Sequence, residues 1–145
     1  MNSTAAGAVQ SVVFQTWPSP PNLKSLGVET LDLPFGDPKY GMIHILGSHA
    51  PGGPNSAGQS VFDSIVIVGF DTFLQAGLPF GIAQDQGREI VVEVHALVEI
   101  GTDATGSRTH DFRTVIARSS TLGPGGYRVI TSYPIPEGTS DSFRR

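Results

Sequence analysis

The chain is predicted to be an α+β domain in which N-terminal helices pack on a C-terminal antiparallel β-meander, and three observations predict it. Segments that suit helices, Tyr40 to Leu46 and Val61 to Leu74, come before the strand-like ones. From Glu89 the pattern changes: Val92, Val94, Ala96, Val98 and Ile100 alternate with Glu93, His95, Leu97 and Glu99, the signature of a strand with one face buried. Turn-forming residues at 101–106 and 121–126 then divide the remainder into two further strands, Arg108 to Arg118 and Tyr127 to Ile135. Helices first and a meander after give one helical layer on one sheet face.

In order along the chain, Ser11 to Trp17 suits a short strand, which Pro18-Ser19-Pro20-Pro21 breaks. Residues 18–39 read as loop. Gly47, with Pro51-Gly52-Gly53-Pro54 behind it, is expected to end the helix of Tyr40 to Leu46 and leave His49 on a loop. The apolar positions 61, 62, 65, 66, 68, 70, 73 and 74 match a helical period better than strict alternation. In the second strand, alternation sets His110, Phe112, Thr114 and Ile116 against Thr109, Asp111, Arg113 and Val115. In the third it sets Tyr127, Val129, Thr131 and Tyr133 against Arg128, Ile130 and Ser132.

A length of 145 residues suits a single domain, 1–145, with 1–20 and 136–145 expected as flexible ends. A hydrophobic fraction of 39% with 15% charged residues describes a folding chain rather than a disordered one. Its 18 glycines and 11 prolines fall mostly between apolar runs, so long loops are expected. With no cysteine there is no disulfide, no thiolate metal site and no thiol redox chemistry. No apolar run approaches the eighteen or so residues that span a bilayer, and Met1 to Gln10 lacks the basic-then-apolar order of a signal peptide. The small polar residues at the start read equally as a boundary within a longer polypeptide.

The net charge of −4 argues against a general nucleic-acid binder, but it is unevenly spread. Residues 1–103 carry ten acids against Lys24, Lys39 and Arg88, whereas residues 104–145 carry three acids against six arginines. A guanidinium suits phosphate better than an ammonium does, so an anion is expected at the C-terminal third. The competing reading is a solvated strand edge that uses arginine for solubility.

Two segments stand out chemically, Gly41-Met42-Ile43-His44-Ile45-Leu46-Gly47-Ser48-His49 and Tyr127-Arg128-Val129-Ile130-Thr131-Ser132-Tyr133-Pro134. Imidazoles move protons near pH 7, and hydroxyl, guanidinium and backbone N–H groups hold phosphate, so the two together suit RNA cleavage without a metal. Neither a metal nor a cofactor is expected. Five residues of helix separate His44 from His49 by about 140°, off a shared face, which argues against zinc between them. Each histidine also has a structural reading as a cap or a buried hydrogen-bonded residue. His95, beside Glu93 and Glu99, reads as exposed or salt-bridged.

Over roughly residues 40–135 the chain resembles the C-terminal toxin domains of bacterial polymorphic and contact-dependent growth inhibition systems, in particular the metal-independent BECR-type RNases with EndoU-like, barnase-like and colicin-like branches. The likeness lies in the order Gly41-Met42-Ile43-His44-Ile45, His49, the segment Val61 to Leu74, Phe112-Arg113-Thr114-Val115, and Val129-Ile130-Thr131-Ser132-Tyr133-Pro134. The resemblance implies an endonuclease that uses the ribose 2′-hydroxyl as nucleophile and leaves a 2′,3′-cyclic phosphate. It implies His44 or His49 as base and His110 as acid, with Arg113 and Thr131 or Thr114 on the phosphorane and Tyr133 on a base or phosphate. Arg128 joins Thr114 and Tyr133 as a substrate-binding candidate. Interbacterial competition would then deliver the domain, at the C-terminus of a secreted effector, to the target cytoplasm, with a cognate immunity protein protecting the producer. Net acidity favours a narrow substrate such as tRNA.

The alternative is a non-catalytic α+β protein-binding module in which the histidines are structural and a sheet edge meets the partner. A zinc deaminase is disfavoured, because the paired cysteines such enzymes use are absent.

Overall fold

The computed structural model describes residues 13–119 and 123–140. Its elements are β1 (Val13–Pro18), α1 (Pro21–Lys24), β2 (Thr30–Pro34), α2 (Gly41–Ser48), β3 (Val61–Phe62), α3 (Ser64–Val68), α4 (Phe70–Gly77), a 3₁₀ turn (Leu78–Phe80), β4 (Ile82–Asp85), β5 (Glu89–His95), β6 (Gly101–Thr102), β7 (Arg108–Thr109), β8 (Asp111–Arg118) and β9 (Gly126–Pro134). The fold is mixed α+β with two sheets. A six-stranded sheet runs β1-β2-β9-β8-β5-β4, and a small one runs β3-β6-β7.

The meander expected from Glu89 onward is present, with β5, β8 and β9 paired antiparallel in sequence order. The segregation of helices from strands is not: β1 and β2 form an antiparallel pair ahead of α2, and β2 then joins β9 in parallel. The stretch 18–39 is therefore no loop. Leu31 and Leu33 are fully buried, and the strand between them carries Asp32, whose carboxylate accepts the Thr16 hydroxyl at 2.7 Å. At the ends, Val13–Pro18 is an edge strand, which the strand expected at Ser11 to Trp17 matches over its described residues, and residues 136–140 are tied to the sheet, with the Ser140 N–H donating to Asp111 Oδ2 at 3.2 Å. The remainder of both expected flexible ends, 1–12 and 141–145, lies outside the described residues.

The segment Val61 to Leu74 departs from a single helix. Its first two residues pair with β6, and Gly69, at φ −124° and ψ 48°, separates α3 from α4. The consequence is a bend that brings Phe70 and Phe73 onto Phe62 and Phe112; the Phe73 and Phe112 ring centroids are 4.7 Å apart. Gly77 closes against the same ring, since a Cβ there would sit 3.2 Å from the tip of Phe112. Fully burying a ring such as Phe112 contributes about 2–3 kcal/mol.

Cross-strand register sorts the side chains of β5, β8 and β9 into two faces. Ile90, Val92, Val94, Phe112, Ile116 and Val129 form the apolar core face. The other face carries Val91, Glu93 and His95 opposite Val115, Arg113 and Asp111, with Thr131 and Tyr133 beyond them. This second face is covered too, for Val91, Glu93, Asp111 and Val115 are all buried. The single buried face expected for β5 is thus corrected, and its outer end is also shorter than expected: Leu97 and Val98 lie beyond the strand and are exposed. A bulge shifts the register between Val115 and Ile116, so Val129 sits opposite Ile116 and Thr131 opposite Val115. The extra residue, Ile130, puts Val129 and Thr131 on opposite faces, where strict alternation joins them.

Candidate active site

α2 lies against β9 and supplies both imidazoles. The helix begins at Gly41, where φ is +77° and a Cβ would lie 2.7 Å from the Pro34 carbonyl oxygen, so only glycine fits. It runs through Gly47 to Ser48 rather than ending at Gly47, and His49 is its C-cap residue, donating its N–H to Ile45 O at 2.8 Å. Because His49 leaves the helical path at φ −129°, the 140° separation does not apply. The His44 and His49 ring centroids are 5.3 Å apart, edge to face.

Hydrogen bonds assign the ring nitrogens. His44 Nδ1 lies 3.0 Å from Pro38 O, an acceptor only, so Nδ1 carries hydrogen; Nε2 is 2.9 Å from Thr131 Oγ1. His49 Nδ1 likewise donates to Ser60 O at 2.9 Å, which leaves Nε2 as the lone-pair nitrogen of the neutral ring. Burial pushes the His49 pKa below its usual value; the Ser60 bond opposes the shift, and nearby His44 adds to it. His49 also stacks on Tyr133 at 5.4 Å.

One rung further along the sheet, Glu93, Arg113 and Tyr133 stand side by side across three strands. Arg113 Nε donates to Glu93 Oε2 at 2.7 Å, with a second nitrogen at 2.5 Å from the same oxygen, and Nη1 donates to the Tyr133 hydroxyl at 3.1 Å. Burial works against the Arg113 charge, but the Tyr133 oxygen and the Glu93 carboxylate outweigh it and hold the guanidinium above its usual pKa. The Tyr133 hydroxyl accepts from Arg113 and so keeps its own hydrogen for another acceptor. Glu93 is 1% exposed, and its Oε1 has no hydrogen-bond partner among the described residues.

His44, His49, Arg113, Thr131 and Tyr133 line one cleft of about 520 Å³, together with Gln59, Ser60, Asp103, Thr105 and the segment Pro134-Ile135-Pro136. Five of the eight expected site residues thus converge. Three do not. Thr114 is fully buried on the core face, 2.9 Å from the Ser132 hydroxyl, because it is adjacent to Arg113 on a strand and must point the other way. His110 sits outside the cleft lining, its Nδ1 3.0 Å from Glu137 Oε1. Arg128 lies over the Tyr40 ring, 4.5 Å from its centroid.

The arginine-rich third also differs from expectation. Arg108 is bidentate on Asp63 and donates to Glu99, and Arg118 donates to Tyr127, so the described arginines of this region are largely held within the fold. Conversely, Asp103, which lines the cleft, and Glu93, which holds Arg113, are missed by sequence reasoning. Asp103 accepts from the Thr105 hydroxyl at 2.6 Å and from the Thr105 and Ser107 N–H groups, with Thr105 the main reason its carboxyl is held below the usual range. The spacing Asp103-x-Thr105 is a readable turn signal, whereas the Glu93–Arg113 pair requires the strand register.

No protein-family model, no curated protein and no solved structure matches the chain.

Proposed function

We propose that the cleft is the active site of a metal-independent endoribonuclease toxin domain of the kind the sequence resembles. The observation that carries this reading is the convergence of two imidazoles, a guanidinium, a phenol and a threonine hydroxyl on one cleft from α2, β8 and β9. His49, kept neutral by burial and with Nε2 as its lone-pair nitrogen, acts as the base that removes the 2′-hydroxyl proton. The 2′-oxygen attacks the adjacent phosphorus, the P–O5′ bond breaks, and a 2′,3′-cyclic phosphate remains. His44 acts as the acid that gives a proton to the leaving 5′-oxygen. Its Nε2 partner suits that role, since the Thr131 hydroxyl can donate to the neutral ring and accept from the protonated one. Tyr133, oriented by Arg113, and Arg113 itself donate to the phosphorane oxygens. This assignment puts both proton transfers on α2 and leaves His110 out. The substrate class is RNA, with a tRNA loop favoured by the net charge of −4. A cognate immunity protein and delivery within a secreted effector to the target cytoplasm complete the proposal.

A second reading is favoured by two specific observations. His95 and His110 are paired with carboxylates as structural histidines would be, and Arg108 and Arg113, two of the arginines that would draw in a polyanion, are held by Asp63, Glu93 and Glu99. On this reading the domain is a non-catalytic protein-binding module.

The two separate in one experiment. Purified protein is incubated with total RNA in excess EDTA beside His44→Ala and Arg113→Ala, and the products are resolved on a denaturing gel. Discrete fragments with cyclic phosphate ends from wild type alone support the nuclease, with a loss of at least about a hundredfold in His44→Ala. Intact RNA in every lane, from folded protein, overturns it and leaves the binding module, whose mark is a tight protein complex indifferent to histidine replacement.

A further inference from the structure

Beyond the cleft, the same sheet face carries a second cluster one rung further on, where β5 ends and β8 begins. His95 is two residues after Glu93 and Asp111 two before Arg113, and the pair face one another across the strands. Residues 135–140 return over them and add Glu137. His95 Nδ1 lies 2.5 Å from Asp111 Oδ1 and 3.8 Å from Glu137 Oε2, and one ligand atom from each of the three falls within 4.8 Å of the others. We propose that His95, Asp111 and Glu137 form a structural binding site for a divalent transition-metal ion, zinc by preference.

Four features carry it. The two His95 distances bracket what the ion requires, because tetrahedral zinc with bonds of about 2.0–2.1 Å sets its ligand atoms about 3.3 Å apart, with water in the fourth position. Closing Glu137 in and letting His95 withdraw slightly from Asp111 meets that spacing. Each carboxylate offers one oxygen: Asp111 Oδ2 accepts the Ser140 N–H and Glu137 Oε1 the His110 N–H and ring, while Asp111 Oδ1 accepts from His95 Nδ1, a hydrogen bond that the ion would replace on taking Nδ1, Oδ1 and Glu137 Oε2 as ligands. The charge matches, since two carboxylates and a neutral imidazole sum to −2, and the fully buried Asp111 carboxylate is held by the hydrogen bonds from His95 and Ser140. An imidazole in the set selects zinc-like ions over magnesium and calcium, which prefer oxygen alone. Beside the cluster, the buried Ser140 hydroxyl has no partner among the described residues. His95 and Glu137 are partly exposed, which gives the ion a way in.

The ion would staple the returning segment to the sheet. Ile135, Pro136 and Thr139 of that segment line the cleft, so the site fixes one cleft wall while touching none of the groups proposed to react.

The test reads binding rather than RNA cleavage, so its failure is separable from that of the nuclease reading. Chelator-treated protein at pH 7.5 is titrated with zinc chloride by calorimetry and melted with and without the metal, beside His95→Ala, Glu137→Gln and the cleft variant His44→Ala, each checked for folding by circular dichroism. The expected result is one zinc per chain and a Tm raised by about 8 °C at a hundredfold excess over Kd. Affinity falls at least about tenfold in His95→Ala and Glu137→Gln, is unchanged in His44→Ala, and magnesium gives no shift. Absence of zinc binding, equal binding by both ligand variants, or loss confined to His44→Ala would overturn the site.

Discussion

At the scale of single residues, the chemistry of the cleft turns on which ring nitrogens are free. On the proposed reading His49 serves as the base, because its Nδ1 is committed to Ser60 and its burial disfavours the charged ring. That makes two pH predictions. The acid limb of cleavage in a pH–rate profile is expected to have its midpoint below about 6.5, the usual histidine value, and to be absent from residual activity in His49→Gln. Stability should change over the same range. The unfolded ring takes a proton near 6.5 and the folded one only at lower pH, so below 6.5 the unfolded state binds more protons. Stability contributed by neutral His49 is full above 6.5 and is lost as pH falls through the folded-state value. Melting wild type and His49→Gln from pH 8 to pH 5 checks this, and parallel curves would remove the burial argument.

Among elements, the decisive one is the rung Glu93–Arg113–Tyr133, which exists only because β5, β8 and β9 pair in that register. Sequence alternation puts Glu93 on the solvent side, correctly in parity and wrongly in environment: the second face is covered, and Glu93 is buried there against Arg113. The meander strands and α2 are legible because their apolar periods are regular. β1 is legible as the strand of Ser11 to Trp17, whereas β2 is obscured by flanking prolines, though Leu31 and Leu33 alternate across Asp32. The bulge at Ile130 has no signature in residue type, and so alternation gives Thr131 the wrong neighbours. The rung itself yields a prediction. Glu93→Ala leaves the Arg113 charge without its partner and is expected to destabilise the fold by about 3 kcal/mol in urea titration, and to release Tyr133 from its fixed position. A cost below about 1 kcal/mol would mean that water readily replaces the carboxylate.

For the whole molecule, charge sets how RNA is approached. The sequence carries −4 overall, and among the described residues Arg108, Arg113 and Arg118 are engaged by Asp63, Glu93, Glu99 and Tyr127 within the fold. If the proposed reading holds and these three arginines stay engaged, few phosphates are neutralised by them on binding, and the release of counterions that makes most RNA–protein association salt-sensitive should be small. With one or two phosphate contacts, the slope of log kcat/KM against log salt is expected to lie between about 0 and −1.4 for single-stranded substrate. Rates on a single-stranded substrate between 50 and 200 mM potassium chloride, about the range in which such slopes are read, check it. A slope near −5 would require a cationic track beyond the described arginines and would favour indiscriminate RNA binding. A shallow slope would instead place selectivity in the cleft that Tyr133, His49 and the ordered Asp103 turn line.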